Sequence, residues 1–223
     1  MSTLDPIRVR VDFGRITMIP VSATFLIANL LGIYRTYMAP ESVDVLGALR
    51  LINSLLVACF YVLMVSAYLM RTSARRISRS FTANAVAVIA TSLPLPLLGL
   101  LAANVQSDIR LMIFGFIVTV GGLGFSLYSL HTLGRSFSII PQARTLVKSG
   151  PYKYLRHPLY VGEIVATLGF VLSHLTPATI AVLAVLVALQ IYRAVQEEKV
   201  LASTFSEYEG YMSRTYRWVP GIF

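Results

Sequence analysis

The residue types that could do chemistry are concentrated in the last third of the chain, in three clusters. Carboxylates, an imidazole and guanidinium groups stand there among aromatic rings, a combination typical of a binding or catalytic site. We expect these clusters to form one site. They are Leu146-Val147 with Gly150-Pro151-Tyr152; Arg156-His157-Pro158-Leu159-Tyr160 with Glu163; and Arg193, Glu197 and Glu198 followed by Tyr208, Tyr211, Arg214 and Arg217.

The second cluster is predicted to stand at the beginning of a helix. Proline suits the first helical turn because it lacks an N–H, so Pro158 would begin the helix, with Arg156 and His157 just before it. A helix N-terminus favours an anion, and a carboxylate would fit there. Glu163 would lie one turn further in, on the face of Tyr160. Since an acid inside an apolar span is costly, we expect a functional role for Glu163.

The third cluster offers two consecutive acids with different directions. Arg193 and Glu197 are four residues apart and can pair along a helix. Glu198 is turned about 100° away and can face something else. Alternatively, both acids pair only with Arg193 and Lys199 on a solvated helix extension. In the same way, His157 could simply cap the helix that follows it.

The elements that must position these clusters are membrane helices. Of the 223 residues, 56% are hydrophobic and 13% are charged, whereas soluble domains carry roughly 25% charged residues. A helix needs about 20 mostly apolar residues to cross a bilayer, and continuous runs such as VLAVLVAL exclude a β-barrel. We therefore predict an all-α polytopic bundle of about six spans, the last two forming a hairpin. The spans are Ile16–Tyr34, Leu46–Met70, Phe81–Val105, Leu111–Leu130, Leu159–Leu175 and Ala178–Tyr192.

The net charge of +9 follows the predicted membrane connections. Cations concentrate before the first span and in the second-to-third and fourth-to-fifth connections, while the alternate connections are poor in them. This bias predicts that both termini lie in the cytoplasm, with a bacterial-type inner membrane as the expected compartment. Nucleic-acid binding is not expected, since it favours a basic, aromatic-interleaved soluble face.

The sequence changes character at about residue 131. Residues 1–130 are predicted to form a scaffold of four spans, in which Gly121, Gly122 and Gly124 would admit a close neighbour. Residues 131–223 contain a loop rich in glycine and proline, the hairpin and an amphipathic tail; loop and tail would form a cytoplasmic cap on one integrated domain. Cys59 is the single cysteine and lies in a span, so no metal site is predicted.

The order of motifs from Leu133 to Pro220 resembles the C-terminal region of the isoprenylcysteine carboxyl methyltransferase family. That family is part of a larger group of membrane methyltransferases that includes the phospholipid N-methyltransferases. The matching pieces are LVKSGPYKYLRHPLYVGE, then a membrane hairpin, then EEKVLASTFSEYEGYMSRTYRWVP. The N-terminal half contains no matching motif.

The resemblance implies S-adenosylmethionine as cofactor, bound between loop and tail, and a lipophilic acceptor that arrives from the lipid bilayer. A glutamate would accept from the ribose or the ammonium group, His157 and the N–H groups near Pro158 would hold the carboxylate, and apolar and aromatic residues would flank the adenine. The implied cofactor-binding residues are Leu146, Val147, Gly150, Tyr152, His157, Pro158, Tyr160, Glu197 and Glu198.

The acceptor and the reaction have alternatives. A carboxylate, the acceptor that the family name implies, needs no base, and Arg156 or Arg214 would orient it. An amine must lose a proton, which makes Glu163 a candidate base. Two further functions stay open: a nicotinamide-dependent membrane reductase of the sterol-reductase type, which would require more cations around a 2′-phosphate, and a non-enzymatic membrane partner.

Overall fold

The computed structural model describes residues 13–38, 45–78, 80–92, 94–102, 105, 108–219 and 221, and these are mostly helical. A pair of two-residue antiparallel strands, β1 and β2, and two short 3-10 turns complete the described structure. The helices are α1 (Phe13–Met38), α2 (Val45–Met70), α3 (Phe81–Ser92), α4 (Pro94–Ala102), α5 (Ile109–Leu133), α6 (Pro158–Ser173), α7 (Pro177–Ala202) and α8 (Tyr208–Met212); the strands are β1 (Arg76–Ile77) and β2 (Gln142–Ala143).

Four segments of the described helices are long and apolar enough to cross a membrane: Gly14–Arg35, Gly47–Met70, Ile109–Ser136 and Pro177–Ala202. The first, second, fourth and sixth predicted spans lie within α1, α2, α5 and α7, and α6 covers most of the fifth. Both α3 and α6 are shorter apolar helices. The predicted all-α polytopic membrane fold is confirmed.

The third predicted span, Phe81–Val105, is not one helix. Its first part, α3, ends at Ser92, and α4 begins at Pro94. Proline has no N–H for the helical ladder and disfavours the helical conformation in the residue before it, so Pro94 and Pro96 divide the segment. Both pieces pack against α7.

Glycines bring α5 and α6 into close contact. A Cβ on Gly122 would collide with the backbone of α6, including the carbonyl oxygen of Gly162 at 2.8 Å, and a Cβ on Gly169 would collide with the backbone of α5. Such pairs allow helix backbones to approach in a membrane. The prediction for Gly121 and Gly124 was wrong, because both point into open space among the described residues.

The loop and the tail fold together into a cap at one end of the bundle. The cap comprises residues 134–157, between α5 and α6, and residues 203–219, after α7. The amide N–H of Arg156 donates to the carbonyl of Tyr216 (2.8 Å), and the amide of Tyr216 donates to the carbonyl of Tyr154 (3.0 Å). Strand β2 of the loop pairs with β1, which precedes α3. Loop, tail and the connection to α3 are thereby joined.

Candidate functional site

A cavity of about 740 Å³ lies between the cap and the ends of α6 and α7. We call it the cap cavity; its 740 Å³ include space that is open to solvent. Aromatic, aliphatic and charged side chains converge on it from both parts of the cap. They include Leu133, Phe137, Gln142, Arg144, Leu146, Val147, Tyr152, Arg156, His157, Tyr160, Glu197, Leu201, Tyr208 and Tyr211.

Most of the residues predicted to bind the cofactor line this cavity: Leu146, Val147, Tyr152, His157, Tyr160 and Glu197. Three others do not line it. Gly150 begins a 3-10 turn with φ of 54°, a conformation that glycine adopts without strain. Pro158 is buried at the first turn of α6, as its missing N–H predicts. Glu198 faces the tail.

Glu197 is the carboxylate that faces the cap cavity. The hydroxyl of Tyr160 donates to its Oε1 at 2.5 Å, and Nδ1 of His157 lies 3.6 Å from its Oε2. The two aromatic partners stack, with ring centroids 5.3 Å apart. The Glu197 side chain is 20% exposed, against 7% for Glu198. A ligand in the cavity could therefore reach Glu197.

Glu198 instead holds the tail to the beginning of α6. Its Oε1 accepts from Nε of Arg156 at 2.8 Å, and its Oε2 accepts from Nη2 of Arg217 at 2.7 Å. Nε2 of His157 lies 3.3 Å from Oε1. The hydrogen bond to Glu198 raises the pKa of Arg217 above its ordinary value. We call Glu198, Arg156 and Arg217 the clamp.

Arg156 lines the cap cavity, yet its donors are largely engaged within the protein. Besides the clamp, Nη1 donates to the carbonyls of Met212 and Thr215, both at 2.9 Å. Arg214, the other arginine predicted to orient an acceptor, is exposed on the tail and is absent from the linings of the described cavities. The structure does not bring Arg214 to the site.

The predicted bond between Arg193 and Glu197 was wrong. Arg193 is buried and donates to Oε1 of Gln190 (3.0 Å) and to the carbonyl of Ile139 (3.2 Å), with its guanidinium over the Tyr160 ring. Because the Arg193 side chain is buried, it needs such hydrogen-bond partners inside the protein. Glu197 accepts its hydrogen bond from Tyr160 and not from Arg193. Nε2 of Gln190 in turn donates to Glu163 at 2.6 Å.

A second cavity, of about 850 Å³ including its open side, lies among the helices of the bundle and is mostly apolar. We call it the intramembrane cavity. Glu163 lines it together with apolar side chains and polar residues that include Asn53 and Thr167. Glu163 is one helical turn from Tyr160, which lines the cap cavity. One turn of α6 therefore contributes to both cavities.

Tyrosines from the loop and the tail close the cap cavity. Burial raises the pKa of Tyr152 well above its ordinary value and that of Tyr211 to about 12, so both stay neutral. The hydroxyl of Tyr211 donates to the carbonyl of Tyr152 at 2.7 Å. The hydroxyl of Tyr208 is buried with no hydrogen-bond partner among the described residues.

Sequence reasoning missed the roles of Arg217 and Gln190. Arg217 was part of the third cluster, but its spacing from Glu198 carries no signal of the pairing, because the two are joined by a turn of the tail. Gln190 lies three residues before Arg193 on a helix, and a polar residue at that spacing within an apolar span is the signal that would have identified it.

Residues 111–208 match the phospholipid methyltransferase family. Two curated relatives are similar to part of this chain. The cobalt-zinc-cadmium resistance protein CzcN of Cupriavidus metallidurans is 39% identical over 48% of this chain and 50% of the relative. The nickel-cobalt-cadmium resistance protein NccN of Alcaligenes xylosoxydans xylosoxydans is 34% identical over 48% of this chain and 51% of the relative. The matches thus span about half the length of these relatives. The described residues of this chain contain no group of three or more potential metal-ligating side chains.

A solved structure has the same fold over most of the chain. It is that of the eukaryotic intramembrane Ras methyltransferase ICMT, an isoprenylcysteine carboxyl methyltransferase. The likeness covers 92% of this chain and 77% of that one, with a TM-score of 0.57 and 22% sequence identity. At this identity the likeness concerns the fold.

Proposed function

We propose, from the match of residues 111–208 to the phospholipid methyltransferase family, that this chain is an integral membrane methyltransferase using S-adenosylmethionine to methylate a lipophilic acceptor. The observation that carries the proposal is Glu197, an accessible carboxylate in a cavity one helical turn away from a second, apolar cavity within the bundle. The methyl donor would occupy the cap cavity, and the lipophilic acceptor would occupy the intramembrane cavity.

The residues of the cap cavity fit S-adenosylmethionine. Glu197 would accept from the ribose hydroxyls or the ammonium group, and His157 would hold the carboxylate. Leu146 and Tyr152 would flank the adenine. The buried hydroxyl of Tyr208, without a partner among the described residues, would gain a polar atom of the ligand.

The remaining predicted cofactor residues would act indirectly in this proposal. Gly150 sets the turn that presents Tyr152, and Pro158 begins α6 so that Tyr160 reaches Glu197. Glu198 would keep the tail over the cavity through the clamp. Val147 would contribute apolar lining.

Bound S-adenosylmethionine supplies a methyl carbon that its sulfonium already activates. A lone pair of the acceptor forms the new bond to that carbon while the carbon–sulfur bond breaks and its electrons stay on sulfur. The task of the protein is then to align the two ligands and exclude water. The turn of α6 from Tyr160 to Glu163, shared by the two cavities, is where the acceptor atom would have to meet the methyl group.

The acceptor has two candidate classes. The sequence resemblance favours a carboxylate. In that case the orienting cation would be Arg156, which lines the cap cavity and uses its Nε and Nη1 for contacts within the protein. An amine acceptor is favoured by Glu163, which lines the intramembrane cavity and could accept the proton that an amine must lose.

We also propose that the cap faces the cytoplasm and that residues 1–130 are the scaffold for the site carried by residues 131–223. The cations flanking α1 and in the cap support this orientation by the positive-inside bias. In this arrangement the donor enters from the cytoplasm and the acceptor from the bilayer. Nucleic acid is not among the proposed partners.

The first test is binding of S-adenosylmethionine to the detergent-purified chain by calorimetry. We expect saturable binding, and comparable binding of the demethylated product. If the folded protein binds neither, the methyltransferase proposal is wrong, and binding of nicotinamide dinucleotides would then support the reductase alternative.

A labelled transfer experiment on the same preparation identifies the acceptor class. The protein is incubated with methyl-labelled S-adenosylmethionine and a membrane lipid extract, and the labelled lipid is treated with base. A methyl ester releases volatile methanol under base, whereas an N-methyl group stays in the non-volatile fraction. Release supports the carboxylate, and retention supports the amine.

A further inference from the structure

A polar groove separate from both cavities lies on the outside of the cap. One wall is the β1 segment, and the other is the C-terminal end of α7. Three of its lining residues are cations: Arg75, Arg76 and Lys199. Among the residues described as lining it, none is acidic. We call it the cationic groove.

The acids nearest in sequence face away from the groove. Gln196, Lys199 and Ser203 recur at three- and four-residue spacing and so lie on one face of α7. Glu197 and Glu198 lie on other faces, where Tyr160 and the clamp engage them. The positive charge of the cationic groove is therefore not paired with these two carboxylates.

The arginines of the groove are held by contacts that leave donors available. Nη1 of Arg76 donates to the carbonyl of Ser203 at 2.9 Å, which caps the end of α7. The guanidinium of Arg75 lies 5.5 Å from the centre of the Phe205 ring. Each guanidinium has five N–H donors in a planar fork that suits phosphate oxygens.

Helix length indicates that the groove would lie at the depth of the lipid head groups. About 20 helical residues cover the hydrocarbon core, and Lys199 is more than 20 residues beyond Pro177, where α7 begins. Phe81, the first residue of α3, is 83% exposed next to the β1 segment, so its ring would face lipid. A lipid beside the bundle could reach the groove with its head group.

We propose that the cationic groove binds the head group of an anionic phospholipid. Two guanidinium groups and an ammonium group would surround the phosphate, and Ser78 and Ser203 line the same groove. A zwitterionic choline lipid brings a cation of its own into a positive site and would bind less well. Such a lipid would also brace the cap, because β1 pairs with β2, whose Gln142 lines the cap cavity.

The test is native mass spectrometry of the full chain in a neutral detergent with a mixture of phosphatidylglycerol and phosphatidylcholine. We expect selective retention of one phosphatidylglycerol. The exposed Lys199→Gln change should weaken its binding about threefold, and Arg75→Gln, Arg76→Gln and Lys199→Gln combined should weaken it roughly tenfold or more. Lys153→Gln is the matched control, since Lys153 is an exposed cation of the cap outside the groove.

Three outcomes would overturn the proposal. Undiminished phosphatidylglycerol binding by the triple variant would exclude the groove as the binding site. Thermal unfolding checks that the triple variant is folded. The single Lys199→Gln variant repeats the test while the hydrogen bond from Arg76 to Ser203 stays in place. An equal loss in Lys153→Gln would mean attraction by the general surface charge. Displacement of the lipid by millimolar inorganic phosphate would assign the groove to free phosphate instead. None of these results depends on the methyltransferase activity.

Discussion

At the scale of single residues, two consecutive glutamates have different surroundings. Glu197 faces the cap cavity and is bonded by the neutral hydroxyl of Tyr160, whereas Glu198 is enclosed by Arg156 and Arg217. A carboxylate between two arginines is already neutralised and has little left to offer a cationic ligand. For the proposed methyl donor, the geometry therefore favours Glu197 over Glu198 as the carboxylate that would meet it.

Replacing each glutamate by glutamine should separate these roles. Glu197→Gln should weaken S-adenosylmethionine binding at least about tenfold, because a charge-assisted hydrogen bond is lost, with little change in thermal stability. Glu198→Gln should lower stability by roughly 2–3 kcal/mol, because two partly buried arginines lose their counter-charge. Calorimetry and thermal unfolding in detergent measure the two effects.

The exposed Glu209 of α8 provides the matched control. Glu209→Gln should change neither quantity. If Glu198→Gln abolished binding while unfolding at the wild-type temperature, Glu198 and not Glu197 would be the donor ligand.

At the scale of elements, the contact between α5 and α6 is the framework on which the site stands. The helix α6 carries Tyr160 and Glu163, and its position depends on the close approach that Gly122 permits. A small displacement of α6 would move both residues relative to α7. We therefore expect the site to be sensitive to substitutions in a contact that lacks functional groups.

Gly122→Ala should be destabilising by about 1–3 kcal/mol, the usual result of overpacking a close contact. The neighbouring Gly121→Ala is the control: its Cβ would enter open space among the described residues, and alanine is the better helix former. Thermal unfolding of the two variants in the same detergent makes the comparison. Equal stability would show that α5 and α6 do not pack as described.

At the scale of the whole molecule, the fold places the cap cavity, which charged, aromatic and aliphatic side chains line, at one end of an apolar bundle. The cap draws on two separate stretches of chain, the loop before α6 and the tail after α7, and the β1 segment pairs with its loop. The orientation of the bundle decides which side of the membrane supplies the polar ligand. The charge bias supports the cytoplasm as that side, which is the orientation proposed above.

Cysteine labelling in intact bacterial cells tests this orientation. Cys59 is first replaced by alanine, and then Ser213→Cys in the cap or Leu175→Cys at the turn between α6 and α7 is introduced; both positions are exposed. A membrane-impermeant maleimide should label the Leu175→Cys variant in intact cells and the Ser213→Cys variant only after permeabilisation. The reverse pattern would place the cap outside.

The sequence alone determined the membrane character, most helices, and the resemblance to membrane methyltransferases, which the family match confirms. These features depend on local properties: apolar length, proline position and the order of short motifs along the chain. The division of Phe81–Val105 was also readable from Pro94 and Pro96, although the long apolar run outweighed them in the prediction.

Only the tertiary structure decided which side chains meet. Arg156 and Glu198 are 42 residues apart, and Arg217 reaches the same carboxylate from the other side of the tail. No helical spacing relates these three residues. The tail folds back over α6 and α7, and this decides their pairing, the different surroundings of Glu197 and Glu198, and the exposure of Arg214. The physical reason is that the energy of a buried charge depends on the partners that distant parts of the chain bring to it.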